Sequence, residues 1–356
     1  MELFKKTLNI IEPGDYEAKK AAMQRIDNLA KPIGSLGTLE DIAAKMAAIT
    51  GKIYNKINKR NIIVMCADNG VVEEGVSACP KELTAILTQN LTKNFTGVTV
   101  LSEFTGTDIT VVDIGVDAVI NNPLVINKKI AMGTKNMVKE PAMSYKEAIS
   151  AIEAGIEIVD DLCKKGYDIF GTGEMGIGNT TTSAAVLSAI SGLSPDLTVG
   201  KGAGLTEEQY ENKKRVVKRA IELHAPDSKD PIDVISKVGG FDIAGMCGCF
   251  LGAAKNKRPI VIDGLISSAA ALCAVRLNEH VRDYIFPSHL SEEPGAVYMM
   301  KEIGVEPILN LHMRLGEGSG CPLAFQIIDS ALYAMNKMPT FEEASINSDG
   351  FIDIRE

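Results

Sequence analysis

The sequence contains no tryptophan, and aromatic residues make up only 5% of its 356 residues. Proteins that hold single-stranded nucleic acid use aromatic side chains on which the bases stack, together with clustered lysine and arginine. This chain instead has a net charge of −9 and contains no block of basic residues. Both properties argue against a nucleic-acid-binding protein.

The sequence also lacks the features of a membrane or secreted protein. No apolar run approaches the roughly 20 residues that a membrane-spanning helix needs. The first residues, MELFKKTLNIIEPGD, have neither the apolar core nor the cleavage site of a signal peptide. The seven cysteines are odd in number and scattered, and the pair Cys247 and Cys249 does not have C-x-x-C spacing. We therefore expect a cytoplasmic enzyme with reduced thiols.

Three familiar catalytic patterns are missing as well. The chain has no glycine-rich phosphate loop ending in Gly-Lys-Ser/Thr, which disfavours ATP hydrolysis. It has no G-x-S-x-G nucleophile turn. No set of His, Cys and Asp residues has the spacing of metal ligands, so we expect neither a metal site nor a cofactor.

What the sequence does contain is an alternation of strand and helix patterns. A continuous apolar run such as NIIVMCA is typical of a parallel strand buried on both faces. The alternation predicts an α/β fold with a Rossmann-like parallel sheet flanked by helices, and a small helical lobe built from the two chain ends. The predicted strands are 61–67, 108–114, 166–170, 259–263 and 284–288. The predicted parts are 1–60 (lobe), 61–325 (catalytic domain) and 326–356 (lobe, with an acidic tail from residue 341).

The segment IFGTGEMGIGNTTT, residues 169–182, has four glycines within eight residues, a central Glu174 and three threonines. It follows a predicted strand and precedes a run of small apolar residues that suits a helix. Backbone N–H groups at a helix start, with hydroxyls beside them, favour an anion. We interpret the segment as a phosphate-binding turn with Glu174 facing the same cleft. The alternative is a tight turn that binds nothing, which for an isolated glycine run has about even odds.

Two further segments point to the same cleft. A second glycine cluster, 199–204, leads into a helix for which Thr206 and Gln209 predict a capping box. On that helix Lys213 either reaches an anion or belongs to a solvated basic face. The segment RLGEGSG places a second acid, Glu317, between glycines. Because the carboxyl ends of parallel strands meet at one edge, these groups predict acid–base and electrostatic catalysis of a transfer reaction on a phosphorylated small molecule.

Several segments resemble one enzyme family over most of the chain, about residues 20–345. The family is the nicotinate-nucleotide–dimethylbenzimidazole phosphoribosyltransferases of cobalamin lower-ligand assembly. GEMGIGNTT and RLGEGSG are the most specific of these segments. The turn Asp68-Asn69-Gly70 departs from the family, in which Asp-His-Gly is expected. The segments are, in order, RIDNLAKPIGSLGTLE, GVSACPKELTA, GTGEMGIGNTTT, SKVGGFDIAGM, PIVIDG and MRLGEGSG.

The resemblance implies a reaction and a set of site residues. Phosphoribose moves from nicotinate mononucleotide to a benzimidazole nitrogen with inversion, giving α-ribazole 5′-phosphate and nicotinate. The resemblance implies that Glu317 is the base and that Glu174 lies near the ribose. It assigns the phosphoribosyl group to Gly176, Asn179, Thr180, Thr181, Gly202, Lys213 and Ser291. It assigns the acceptor base to Cys79, Leu87, Met175 and Leu315. It also implies a homodimer, for which apolar helical faces near the N-terminus offer an interface.

The same residues bear on the acceptor specificity and on two alternative functions. Polar residues occur in relatives at the positions of Cys79 and Leu87, so we expect a less polar pocket that accepts other benzimidazoles, purines or phenolics. A non-catalytic binder of nucleotides or benzimidazoles would keep the glycines and lose the base, and the presence of Glu317 and Glu174 argues against it. A phosphate-loop hydrolase is disfavoured because the Lys-Ser/Thr pair is missing.

Overall fold

The computed structural model describes residues 1–202, 204–347 and 350–355. Its centre is a six-stranded sheet in which every strand pair is parallel. The strand order is β3-β2-β1-β4-β5-β6. The strands are β1 Arg60–Ala67, β2 Asp108–Gly115, β3 Val125–Asn127, β4 Ile169–Met175, β5 Ile260–Ile262 and β6 Ile285–Pro287. This order is that of a doubly wound Rossmann-type sheet, as predicted.

Helices connect the strands and cover both faces of the sheet. The first seven are α1 Glu2–Ile10, α2 Tyr16–Asp27, α3 Thr38–Thr50, α4 Leu83–Asn90, α5 Gly97–Thr105, α6 Tyr145–Lys164 and α7 Asn179–Ser191. The next seven are α8 Pro195–Thr198, α9 Glu207–His224, α10 Pro231–Val238, α11 Phe241–Lys255, α12 Leu265–Leu277, α13 Gly295–Ile303 and α14 Cys321–Lys337. Short 3₁₀ helices occupy Gly70–Glu74 and Glu279–Tyr284.

The direction of chain winding reverses between β1 and β4. From β1 the chain builds β2 and β3 on one side, then crosses back to place β4 on the other side of β1. The register pairs Cys66 of β1 with Met175 of β4, so the carboxyl ends of both strands meet. In open α/β sheets, ligands bind at this reversal point.

The sequence prediction missed the short strand β3 and was wrong in detail for β4. The predicted strand covered 166–170, whereas β4 runs over Ile169–Met175 and contains Gly171 and Gly173. Glycine is a poor strand former, which is why the pattern indicated a turn. Packing overrides this preference because β4 is buried along its length, and a Cβ on Gly171 would lie 2.7 Å from the Cβ of Cys321. The glycine-rich turn is therefore shorter than predicted.

Three helices, α7, α11 and α12, are rich in small residues and almost fully buried, and α11 and α12 are also largely apolar. Helix α11 contacts β1, β2 and β4 on one side and α6 on the other, so it forms an inner layer. A helix that is apolar on all sides belongs either in a core or in a membrane. Across the described residues, no helix is both long and apolar enough to cross a bilayer.

Helices from the two chain ends share a small core of their own. It is formed by residues of α2, α3 and α14, namely Ala22, Ile26, Ala43, Ala44, Ala47 and Met335. Helix α1 instead packs on α6 and α11 of the main core, and α14 begins before residue 326. The division into a lobe and a catalytic domain at residues 60 and 325 remains a prediction. The predicted acidic tail includes Ser348, Asp349 and Glu356, which lie outside the described residues.

Candidate active site

A cleft of about 320 Å³ opens at the carboxyl ends of the central strands. This volume is at the small end of the range for ligand pockets. Most of the predicted site residues line it: Cys79, Leu87, Glu174, Met175, Gly176, Asn179, Thr180, Gly202, Ser291, Leu315 and Glu317. Two predicted residues, Thr181 and Lys213, are buried behind this surface.

The loop that carries Glu317 has an unusual backbone. Gly316, Glu317 and Gly318 have φ values of +86°, +65° and +97°, all in the left-handed region. A side chain in this region costs about 1–2 kcal/mol, so the surroundings must hold Glu317 there. Asp263 does so by accepting the N–H groups of Gly318 at 3.0 Å and Gly320 at 2.7 Å.

The Glu317 loop also rests directly on strand β4. A Cβ on Gly173 would overlap the Glu317 carbonyl oxygen and lie 2.7 Å from its carbonyl carbon. Only glycine at position 173 allows this approach of two backbones. The two acids then meet, because the Glu317 N–H donates to Glu174 Oε1 at 3.3 Å. Two segments that are distant in sequence thus form one site.

The Glu317 side chain is buried and points toward the start of α5. Its Oε2 accepts the N–H of Val98 at 3.2 Å. Burial raises the pKa of Glu317 above the ordinary glutamate value, although hydrogen bonds from Val98 and Gly97 oppose the change. A carboxylate with a raised pKa is a stronger base, which suits proton uptake near neutral pH.

Glu174 belongs to a buried acid pair. Asn179 Nδ2 donates to Glu174 Oε2 and, at 3.0 Å, to Asp242 Oδ2. Burial and the nearby Asp242 charge raise the pKa of Glu174 to about 8. Burial raises the pKa of Asp242 to about 6 and that of Asp263 to about 7. Without a cationic ligand, Glu174 is therefore mostly protonated at neutral pH.

This shift predicts a pH-dependent effect of Glu174→Gln on stability. The folded-state pKa of about 8 lies above the ordinary value of 4.5. Below about pH 4.5 both the folded and the unfolded states carry the proton, so the shift has no effect on stability there. Between about pH 5 and 8 the unfolded state ionises first, and wild-type stability falls. The stability of Glu174→Gln relative to wild type should thus increase over this range in urea unfolding without ligand. A pH-independent difference would contradict the raised pKa.

Three of the predicted phosphate-binding residues, Thr180, Lys213 and Gly202, lie together at the start of α7. Lys213 is only 1% exposed, and its Nζ donates to Thr180 Oγ1 at 2.8 Å and to the Gly200 carbonyl at 3.1 Å. A solvated basic face is therefore the wrong interpretation for Lys213. Burial lowers its pKa to about 8. The second glycine cluster includes Ala203, which lies outside the described residues.

The capping box predicted for α9 is confirmed. Thr206 Oγ1 accepts the N–H of Gln209, and the Gln209 side chain accepts the N–H of Thr206. This cap fixes the start of the helix that carries Lys213. From this helix Lys213 reaches Thr180 at the start of α7 and the carbonyl of Gly200 in the second glycine cluster.

Three acids at the site were missed by sequence reasoning: Asp242, Asp263 and Glu293. Asp263 directly follows β5, and an acid at the carboxyl end of a parallel strand was a usable signal. Asp242 lies at the start of α11, and Glu293 lines the cleft. Their positions depend on long-range packing that no local pattern shows.

Asn69, the departure from the expected Asp-His-Gly turn, is completely buried beneath the site. Its Oδ1 accepts the Thr182 hydroxyl at 3.4 Å. It also lies beside Asp242 and lowers the pKa of that acid, against the larger effect of burial. The residue at position 69 therefore influences the pKa of Asp242, one member of the buried acid pair.

Comparisons with known proteins find relatives of one enzyme family. The family model DBI_PRT, described as a phosphoribosyltransferase, matches residues 11–346. A relative from Clostridium tetani named nicotinate-nucleotide–dimethylbenzimidazole phosphoribosyltransferase is 58% identical, covering 100% of this chain and 99% of its own. A relative of the same name from Clostridium acetobutylicum is 55% identical, covering 93% and 94%. The crystal structure of CobT from Thermus thermophilus superposes with a TM-score of 0.89 at 34% identity, covering 93% of this chain and 99% of that chain.

Proposed function

This chain belongs to the DBI_PRT family of phosphoribosyltransferases, and we propose that it transfers 5-phosphoribose from nicotinate mononucleotide to 5,6-dimethylbenzimidazole or a related base. The products are α-ribazole 5′-phosphate and nicotinate, for use in cobalamin nucleotide-loop synthesis. The observation that carries the proposal is the pair Glu317 and Glu174, joined in one cleft with the buried Lys213 beside it.

The reaction requires one base and no acid. The bond between the sugar carbon and the pyridinium nitrogen breaks, and the nicotinate ring leaves as a neutral nitrogen that needs no proton. A benzimidazole nitrogen forms the new bond with inversion, and the azole N–H proton passes to the Glu317 carboxylate. Glu317 suits this role because burial raises its pKa.

Glu174 stabilises the positive charge that develops on the sugar. The pyridinium of the donor and the oxocarbenium-like transition state are cationic, and a nearby cation favours the ionised carboxylate. Binding of the donor therefore lowers the pKa of Glu174 from its raised value, and the carboxylate then stabilises the developing charge. Asn179, which already bonds Glu174, keeps this carboxylate oriented.

The phosphate is held where α7 begins. Gly176, Thr180, Gly202 and Ser291 line this end of the cleft, and Lys213 supplies a positive charge through its contact with Thr180. Thr181 is fully buried and supports the turn from behind. Charge-assisted hydrogen bonds of this kind are stronger than neutral ones.

The decisive assay follows α-ribazole phosphate formation from nicotinate mononucleotide and 5,6-dimethylbenzimidazole. The proposed transferase makes this product only when both substrates are present. A non-catalytic binder would bind the nucleotide without turnover, and a hydrolase would consume it without acceptor. Either result would overturn the proposal.

We expect the acceptor pocket to be permissive. Cys79 and Leu87 line the cleft with Met175 and Leu315, so few strong hydrogen-bond donors face the acceptor. An equal mixture of dimethylbenzimidazole, benzimidazole, adenine and phenol should give several products. Leu87→Gln should narrow the choice toward acceptors with extra polar groups, because an unpaired buried amide rejects apolar ones. Exclusive use of dimethylbenzimidazole by wild type would contradict this expectation.

We also propose that the enzyme is a cytoplasmic homodimer. Besides the N-terminal helices, the region of α5 exposes Phe95 (73%), Val100 (55%) and Phe104 (84%). Clustered exposed apolar side chains mark interfaces. Light scattering should give twice the chain mass, and Phe104→Ser should shift the protein toward monomer. A monomeric wild type would rule the dimer out.

A further inference from the structure

Glu293 is an acid inside the part of the cleft proposed to take phosphate. It is 8% exposed and lines the cleft beside Gly202 and Ser291. Its Oε1 accepts the Gly202 N–H at 3.0 Å. A glycine-loop N–H of this kind is a typical donor to a phosphate oxygen. In the ligand-free protein, the Glu293 carboxylate therefore takes up an N–H group that is suited to hydrogen-bond a phosphate oxygen.

The surrounding groups are those of an anion site. A Cβ on Gly202 would lie 3.2 Å from Thr180 Oγ1 and 3.5 Å from Lys213 Nζ, so all three residues are neighbours. The Glu293 charge favours the protonated form of Lys213, although the two do not form a direct ion pair. The second oxygen, Oε2, is buried and has no hydrogen-bond partner among the described residues.

This arrangement is unfavourable for a purely structural carboxylate. A buried carboxylate oxygen without a donor is costly, and side chains that only support a loop normally satisfy both oxygens. Gly200 lies against the same carboxylate, since a Cβ there would be 2.7 Å from Glu293 Cδ. Gly200 and Gly202 thus enclose the Glu293 carboxylate, an anion that belongs to the protein itself.

We propose that Glu293 is an internal competitor of the substrate phosphate: its carboxylate occupies the Gly202 N–H in the free enzyme and must leave when phosphate binds. The inference rests on the proposed function, which identifies nicotinate mononucleotide as the phosphorylated substrate. A phosphate and a carboxylate cannot share one N–H and one neighbouring cation without strong like-charge repulsion. Glu293 therefore weakens the binding of the phosphorylated donor and favours release of the phosphorylated product.

The test is Glu293→Gln, which keeps the shape and an acceptor oxygen but removes the charge. Glu292→Gln is the matched control, since Glu292 is the preceding residue, is more exposed and pairs with His312. Each protein is titrated calorimetrically with nicotinate mononucleotide, with the dephosphorylated nicotinate riboside and with inorganic phosphate. We expect Glu293→Gln to bind the nucleotide and phosphate about tenfold more tightly, because the like-charge contact is removed, and to bind the riboside as wild type does.

Each outcome decides the inference. Unchanged or weaker phosphate binding by Glu293→Gln would overturn it and make Glu293 a support of the loop. An equal gain in Glu292→Gln would assign the effect to overall charge and would also overturn it. If wild type binds phosphate but not nicotinate mononucleotide, the proposed donor is wrong, and the phosphate titration still decides the role of Glu293. If neither protein binds phosphate, there is no phosphate site and the inference fails.

Discussion

Replacing Glu317 by glutamine should lower kcat by about 10²–10⁴-fold, the usual contribution of a positioned base. Glutamine keeps an oxygen that accepts the Val98 N–H, so the loop keeps its position. It cannot take up the proton that the acceptor nitrogen must lose. We therefore expect nicotinate mononucleotide to bind Glu317→Gln about as tightly as it binds the wild type.

The measurement is product formation by wild type, Glu317→Gln and the control Glu292→Gln, which removes a carboxylate outside the loop. The pH profile adds a second readout. Because Glu317 acts as the ionised base, wild-type kcat should fall as the pH is lowered through a pKa that burial raises. Glu317→Gln should lack this fall. Equal activity of wild type and Glu317→Gln would mean that another group or water accepts the proton.

Replacing Gly173 by alanine should affect both activity and stability. The new Cβ would overlap the Glu317 carbonyl group and lie 3.0 Å from the Gly318 nitrogen. These are backbone atoms, so the loop must move as a whole. Overpacking of this kind costs about 1–3 kcal/mol. A displacement of about 1 Å at the reacting groups can lower the rate about 10²-fold.

Gly166→Ala is the matched control for Gly173→Ala. Gly166 has a φ of +83°, and a Cβ there meets nothing within 4 Å. Alanine at this position costs about 1–2 kcal/mol of backbone strain but moves nothing in the cleft. We expect both variants to unfold at lower urea concentrations and only Gly173→Ala to lose activity. Comparable activity of the two would show that the Glu317 loop does not depend on Gly173.

The sequence determined the features that depend on neighbouring residues. The apolar run of β1 predicted a buried parallel strand, and the strand is buried from Asn61 to Ala67 because both faces of the sheet are covered. The cap at Thr206 was predictable because its partner lies three residues away. The alternation of these elements was sufficient for the Rossmann-type sheet, and the glycine-framed acids indicated where its ligand edge lies.

Only the tertiary structure decided how the site is assembled. Asp263 holds Gly320, 57 residues further along the chain, and Glu174 meets Glu317 across 143 residues. No local period encodes contacts over such distances, because they arise when separate strands end at one edge of the sheet. The same packing removed Lys213 from solvent and extended β4 through its glycines. Local propensity determined the helices and strands, whereas burial and close backbone contacts determined the positions and environments of the side chains in the cleft.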